Sequence, residues 1–274
     1  MPFFKSKDSC QIYYECHDFD KDRPAVVFLN GTTQTTREWG LQVRHLKKHF
    51  RILLYDSRGQ GQSELGRADL SLDGHVGDLL DLLDHLGVDR VHLVGLSHGA
   101  RVAYRFGTVY PDRLDRIILC GLGRNLDPRT AAFLNSWIHI LNLAGFEAMV
   151  WSMLPVVFGE PFLEQHQTRL YDMVSVIVKR NRADAVKAHL KAMMGYLEIT
   201  ESISELFPPT LIVNGDQDLI VPKDQSRALA KMLGAHLMQL KGVGHSPNIE
   251  APEAFNQVLL QFLSATSMPN NFQK

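Results

Sequence analysis

The sequence predicts an α/β protein with a mostly parallel central sheet, helices on both of its faces, and an inserted all-helical cap. Three observations carry this. Short apolar, β-branched-rich runs ending in turn signals alternate with helix-period segments over residues 1–124. The alternation stops over 125–202, where every segment reads as helical, and it resumes over 203–274. Strands joined through helices imply right-handed crossovers and parallel neighbours covered on both faces. The chain therefore divides into a first core part (1–124), a helical cap (125–202) and a second core part (203–274).

Each element has its own signal. QIYYECH, AVVFLN, RILLYD, RVHLVG and RIILCG read as strands. The earliest of them, with little helical sequence between, can run antiparallel at one edge. HVGDLLDLLDHLGV sets Val76, Leu79, Leu80, Leu83 and Leu86 on one helical face, with its aspartates largely on the other and Gly87 as a stop signal. NLDPRTAAFLNSWIHILNLAG, FEAMVWSMLPVVFG, PFLEQHQTRLYDMVSVIVKR and ADAVKAHLKAMMGY form the helical block. PPTLIVNG and AHLMQL return as strands, SRALAKMLG and PEAFNQVLLQFL as helices, and the polar tail SATSMPNNFQK is expected to fray.

Bulk properties narrow the function classes. The 274 residues suffice for a large core, and 45% hydrophobic with 22% charged residues is ordinary for a globular protein. A formal charge of -1 offers nucleic acid or an anionic membrane no net attraction. No apolar run approaches the roughly 20 residues that span a bilayer, and MPFFKSKDSCQIYYEC lacks the pattern of a signal peptide. Cys10, Cys16 and Cys120 are odd in number and are read as reduced thiols of a cytoplasmic protein. The twelve histidines show no HExxH or paired-cysteine pattern, so neither a metal nor another cofactor is expected.

The chemistry-bearing stretch is VGLSHGA. Ser97 stands between Gly95 and Gly99, directly after the strand RVHLVG and before a helix. A strand–turn–helix of this kind lifts the serine hydroxyl clear of the chain, and its tightness excludes side chains at the flanking glycines. A serine hydroxyl needs a base. His245, in the loop GVGHSPN between a strand and the last helix, has the most suggestive setting of the histidines. A neutral histidine needs an acceptor to fix its tautomer. GDQDLIVP offers Asp218, further out along its loop, and Asp216, whose side chain is expected to tighten the turn. Backbone N–H groups of Thr32, in NGTTQTTREW, and of His98 are the expected oxyanion donors, the His98 imidazole being a bystander.

Together NGTTQTTREW, YDSRGQGQS, GLSHG, GDQDLIVP and GVGHSPNIEAPEAF resemble the α/β-hydrolases over nearly the full chain. The resemblance implies Ser97 as nucleophile, Asp218 as acid in G-x-x-D-x-x-x-P and His245 as base. It also implies that Asp56 to Ser63 is a structural loop whose glycines and Arg58 hold backbone. Asn30-Gly31 replaces the His-Gly of many members and is similar to the 3-oxoadipate enol-lactonases, as are YDSRGQGQS and NIEAPEAF. Lactonases and carboxylesterases are therefore the nearest relatives by motif. An enol-lactone bearing a carboxylate calls for cations in the pocket. The cap instead offers Trp137, Met149, Trp151, Met153 and Phe158, with Lys179, Arg180 and Arg182 clustered near one helix end.

The reading is a serine hydrolase of a small-molecule ester, lactone or thioester with a largely apolar acyl part, with Trp137, Met149, Trp151 and Met153 lining the pocket. An acyltransferase, a C–C bond hydrolase and a small-molecule receptor with slow or no turnover are the alternatives.

Overall fold

The computed structural model describes residues 3–67, 70–196, 198–199 and 207–265. Among them, eight strands form one sheet: β1 (Phe3–Lys5), β2 (Gln11–His17), β3 (Ala25–Leu29), β4 (Arg51–Tyr55), β5 (Val91–Leu96), β6 (Leu114–Cys120), β7 (Thr210–Gly215) and β8 (His236–Leu240). Their order is β1-β2-β4-β3-β5-β6-β7-β8. The pairs β1–β2 and β2–β4 are antiparallel and every pair from β4 to β8 is parallel. The helices are α1 (Gly40–Leu46), α2 (Leu72–His85), α3 (His98–Val109), α4 (Pro128–Val157), α5 (Glu160–Gln165), α6 (Leu170–Arg180), α7 (Ala183–Met194), α8 (Lys223–Leu233), α9 (Pro247–Glu250) and α10 (Pro252–Leu263).

Burial on both faces explains why the strands are continuous apolar runs rather than alternating ones. All five residues of β3 are buried. Val27 and Leu29 pack with Leu79 and Leu83 of α2 and Phe106 of α3, while Val26 and Phe28 face the opposite way onto Trp39, Phe255 and Phe262. Successive side chains point to opposite faces, so one strand feeds two cores. Each large apolar side chain so buried is worth roughly 1.5–3 kcal/mol relative to exposure.

Helix α2 begins at Ser71, whose hydroxyl accepts the Gly74 N–H at 3.0 Å, and ends before Gly87 at φ 63°. Its aspartates do not all face solvent. Asp78 is buried beside Val76 and Leu79, where it accepts two hydrogen bonds from Arg58 at 2.9 and 2.7 Å. Arg58 also holds Asp8, so the D-x-R-G loop is pinned between the N-terminal strands and α2.

Between β6 and β7 the chain leaves the sheet for α4 to α7. By length and composition alone Pro128–Val157 is apolar enough to cross a membrane, unlike any run that the sequence reading singled out. Gly145 breaks it: φ 87° and ψ 177° divide the run into two helices where the sequence placed a boundary. Leu134, Trp137, Met149 and Val150 bury against Val174, Val186 and Leu190 to give the helical insertion its own core. The predicted cap–core boundary at 202/203 and the tail from residue 266 lie outside the described residues.

Candidate active site

Ser97 occupies the turn between β5 and α3 at φ 54° and ψ -113°, a region that non-glycine residues rarely visit. Packing enforces it. A Cβ at Gly95 would stand 2.4 Å from the Gly99 carbonyl oxygen, and one at Gly99 only 2.3 Å from that of Leu29. The Ser97 N–H donates to the Cys120 carbonyl at 2.8 Å, tying the turn to β6. The hydroxyl is left on the wall of a cavity beyond the carboxyl ends of the parallel strands.

Two loops from strands further along the sheet, β7 and β8, reach the same place. After β7, Asp218 accepts the N–H groups of Ile220 and Val221 through Oδ1, at 2.9 and 2.8 Å. Its Oδ2 lies 2.8 Å from Nδ1 of His245, which follows β8. Both side chains are buried. With Nδ1 on the carboxylate, the remaining nitrogen, Nε2, has no hydrogen-bond partner among the described residues, and His245 shares the cavity wall with Ser97. Burial pulls the His245 pKa down, but the Asp218 charge, its hydrogen bond and the Glu250 charge together outweigh that and raise it above the ordinary value. Asp216 stays on its own loop and accepts the Gly242 N–H at 2.7 Å.

Glu250 is a site residue that single-residue reasoning did not pick out, although it lies in the quoted motif NIEAPEAF. Its oxygens accept the N–H groups of Gly159, Gly244 and Ser246, each at 2.8 Å. The His245 N–H donates to Val157 at 2.7 Å, so the end of α4 and the His245 loop are one unit. Burial raises the Glu250 pKa while the N–H donors oppose it.

Thr32 lies on the loop after β3 and lines the cavity beside Gly31 and Ser97; His98 follows Ser97 directly. Asn30, fully buried, is held by three hydrogen bonds. Its amide donates to the Tyr55 carbonyl at 3.1 Å and to Asp56 at 3.3 Å, and its oxygen accepts the Trp39 indole at 2.8 Å. Asp56 accepts the N–H groups of Thr36 and Gln62 at 2.8 and 2.9 Å, and Gln60 donates to the Gly31 carbonyl at 2.8 Å. Burial pushes Asp56 up to about 6 despite those donors.

The cavity measures about 180 Å³. Trp137 and Met153 line it, together with Val150, Leu154, Ile177 and Met193. Met149 and Trp151 do not. Met149 is fully buried within the helical insertion, and Trp151 turns away to meet Tyr171 edge-on at 4.7 Å, beside a separate outer cleft. The reason is helical period: 150, 153, 154 and 157 share the stripe that faces Ser97, and their neighbours at 149 and 151 are rotated off it. No Lys or Arg is among the described residues lining the cavity. Arg180 pairs with Glu38, Arg182 with Asp184, and Asn181 donates to the Thr33 carbonyl, so this turn of the insertion is anchored on the Thr32 loop.

Beneath Ser97, three buried histidines converge that no linear spacing revealed: His75 of α2, His98 of α3 and His189 of α7. Burial drives all three imidazoles below their ordinary pKa.

A serine raised on a strand–turn–helix elbow and a buried aspartate–histidine pair on the loops of two later strands define an α/β-hydrolase arrangement. The chain belongs to the alpha/beta hydrolase family, whose model matches residues 26–258. It is a hydrolase of that family. It is 30% identical over 257 residues to a protein of Caulobacter sp. (strain K31) provisionally named carbamate hydrolase RutD, covering 92% of this chain and 96% of the relative. Its structure is similar to the enol-lactonase from Burkholderia xenovorans LB400, with a TM-score of 0.87 and 26% identity over 96% of this chain and 100% of that one. The fold is shared with a thermophilic esterase from Thermogutta terrifontis, at a TM-score of 0.83 and 24% identity over 96% of each chain.

Proposed function

We propose that this chain is a serine hydrolase cleaving an uncharged carboxylic ester, lactone or thioester with a largely apolar acyl part. The observation that carries the reading is the buried 2.8 Å contact between His245 and Asp218 on the wall of an apolar cavity that Ser97 also lines. Ser97 Oγ attacks the carbonyl carbon while His245 Nε2 takes its proton. Asp218 holds the proton of Nδ1 and steadies the imidazolium. The N–H groups of Thr32 and His98 receive the developing oxyanion. Collapse of the tetrahedral species breaks the bond to the leaving alcohol or thiol, which takes the proton back from His245. Water then repeats the cycle on the acyl-serine, releasing the acid and restoring Ser97.

The helices of 125–202 act in this reading as a cap that selects the acyl group. Apart from Thr130, its contribution to the cavity is aromatic, aliphatic and methionine side chains, suited to an apolar ligand. A carboxylate-bearing lactone would meet no cation there, since Arg180 is committed to Glu38. The relatives named enol-lactonase and carbamate hydrolase support this reading, since both names describe attack at a carbonyl carbon.

A panel of p-nitrophenyl esters of increasing acyl length, neutral and carboxylate-bearing lactones, a thioester and a carbamate tests it. The expected result is a kcat/KM that climbs with acyl length to a limit, with poor turnover of the carboxylate-bearing members. Ser97 is labelled by a fluorophosphonate, and Ser97→Ala loses at least about 10³-fold in kcat with its fold intact. Full activity in that variant defeats the mechanism, and a flat acyl-length profile defeats the substrate class.

A further inference from the structure

His75, His98 and His189 have no part in the proposed acyl transfer, yet they come from three separate helices to one point. Each offers a ring nitrogen, and these atoms all lie within 4.8 Å of one another. The residues are 2%, 1% and 1% exposed. Both nitrogens of His75, Nε2 of His98 and Nδ1 of His189 lack hydrogen-bond partners among the described residues. Buried polar atoms are nearly always satisfied, so several orphans in one cluster point to a shared partner.

We propose that these three imidazoles form a binding site for one divalent transition-metal ion of the zinc class. Three neutral histidines are a ligand set that suits such an ion and leaves one coordination position open. Zinc–imidazole bonds of about 2.0–2.1 Å at tetrahedral angles put the nitrogens about 3.3 Å apart, so the rings close in by at most about 1.5 Å per pair.

The surroundings match what ligating histidines require. Such residues hold their second ring nitrogen on a carbonyl or similar group, which fixes the tautomer. Nε2 of His189 donates to the Arg58 carbonyl at 2.8 Å, which leaves Nδ1 with its bare lone pair. Nδ1 of His98 lies 3.3 Å from the Tyr196 hydroxyl, freeing Nε2. Two of the histidines border clefts. His75 lines a cleft with Arg58 and Asp78, and His98 lines another with Arg101 and Tyr196.

Bound there, the ion ties α7 of the insertion to α2 and to the first residue of α3, immediately after Ser97. It acts on position and stability without touching substrate.

The test uses the full chain, stripped with a chelator and titrated with Co²⁺, with Zn²⁺ competing. The expected result is one equivalent of Co²⁺ giving the visible absorption of a four-coordinate nitrogen site, its displacement by one equivalent of Zn²⁺, and a higher Tm with either ion. His75→Gln and His189→Gln weaken binding by at least about tenfold, and Tyr196→Phe weakens it less. His45→Ala, an exposed histidine, leaves it unchanged. Because glutamine packs differently from histidine at these buried sites, the cobalt spectrum of the unmodified chain is decisive on its own. Absence of that spectrum at saturating Co²⁺ overturns the proposal, as does binding that His45→Ala reduces as much as the cluster variants.

Discussion

Glu250 grips the backbone on both sides of His245, accepting the N–H of Gly244 through one carboxylate oxygen and that of Ser246 through the other, each at 2.8 Å. A third N–H, from Gly159, ties the same carboxylate to the end of the helical insertion. His245 is thus positioned by two carboxylates: Asp218 holds its ring and Glu250 holds its loop.

Replacing Glu250 with Gln therefore tests positioning rather than chemistry. One side-chain oxygen becomes an NH2 group facing N–H donors, and an unsatisfied buried donor costs about 1–3 kcal/mol. The expected outcome is a kcat lower by about 10- to 100-fold with KM little changed. Removing a charge that raises the His245 pKa also moves the acid limb of the rate profile to lower pH. An unshifted limb with unchanged kcat would assign Glu250 to the surface of the loop alone.

The pH dependence follows from the same two carboxylates. His245 must be neutral to accept the serine proton, and its pKa is raised above 6.5. The acid limb of kcat/KM is expected above that value, with activity rising as pH increases through it. Asp218→Asn removes the larger favourable charge, so the limb moves down while kcat falls by about 10³- to 10⁴-fold. Stability runs the other way. A raised folded-state pKa gives stabilisation that is complete below the unfolded value and lost as pH rises through the folded one. His245→Gln loses that component, which chemical denaturation at a series of pH values measures.

The sheet and the elbow were legible because they depend on local pattern. β5 is a buried apolar run, and Ser97 needs glycines two residues either side for steric reasons that any chain must obey. Asp218 and His245 were legible from their place after successive strands. Glu250 was not, because a carboxylate that caps backbone N–H groups has no signature beyond its type. Helix α1 escaped notice since GLQVRHL is short, and its start is set by the Thr35–Glu38 capping box of the preceding turn. The inward stripe of α4 escaped because a helix apolar on nearly every side gives periodicity no contrast. His75, His98 and His189 are far apart in sequence, and only the packing of α7 against the core brings them together.

The glycines of the elbow make a paired stability prediction. Gly95→Ala and Gly99→Ala place a methyl within 2.4 and 2.3 Å of backbone oxygens that the sheet holds rigidly. Neither neighbour can yield without separating α3 from β5 or β3, so both variants are expected to unfold or to lose much of their Tm. Gly77→Ala, in α2, is the contrast: nothing lies within 4 Å of the added atom. There the helix gains about 0.5–1 kcal/mol from the lower entropy cost of alanine, and Tm rises.

Selection of the acyl group is expected to follow the stripe that faces Ser97 and to ignore the positions beside it. Val150 sits on the cavity wall and is 1% exposed, so Val150→Phe projects a ring into the space an acyl chain would fill. The length at which kcat/KM stops climbing then shortens, while the shortest esters keep their rates because Ser97, His245 and Asp218 are untouched. Trp151 is one residue further along but packs on Tyr171 outside the cavity. Trp151→Ala lowers Tm through lost packing and leaves the acyl-length profile where it was. The two profiles, measured on one ester series, decide whether the wall of the cavity sets the substrate: a shift in the tryptophan variant without one in the valine variant would move the acyl site to the outer cleft.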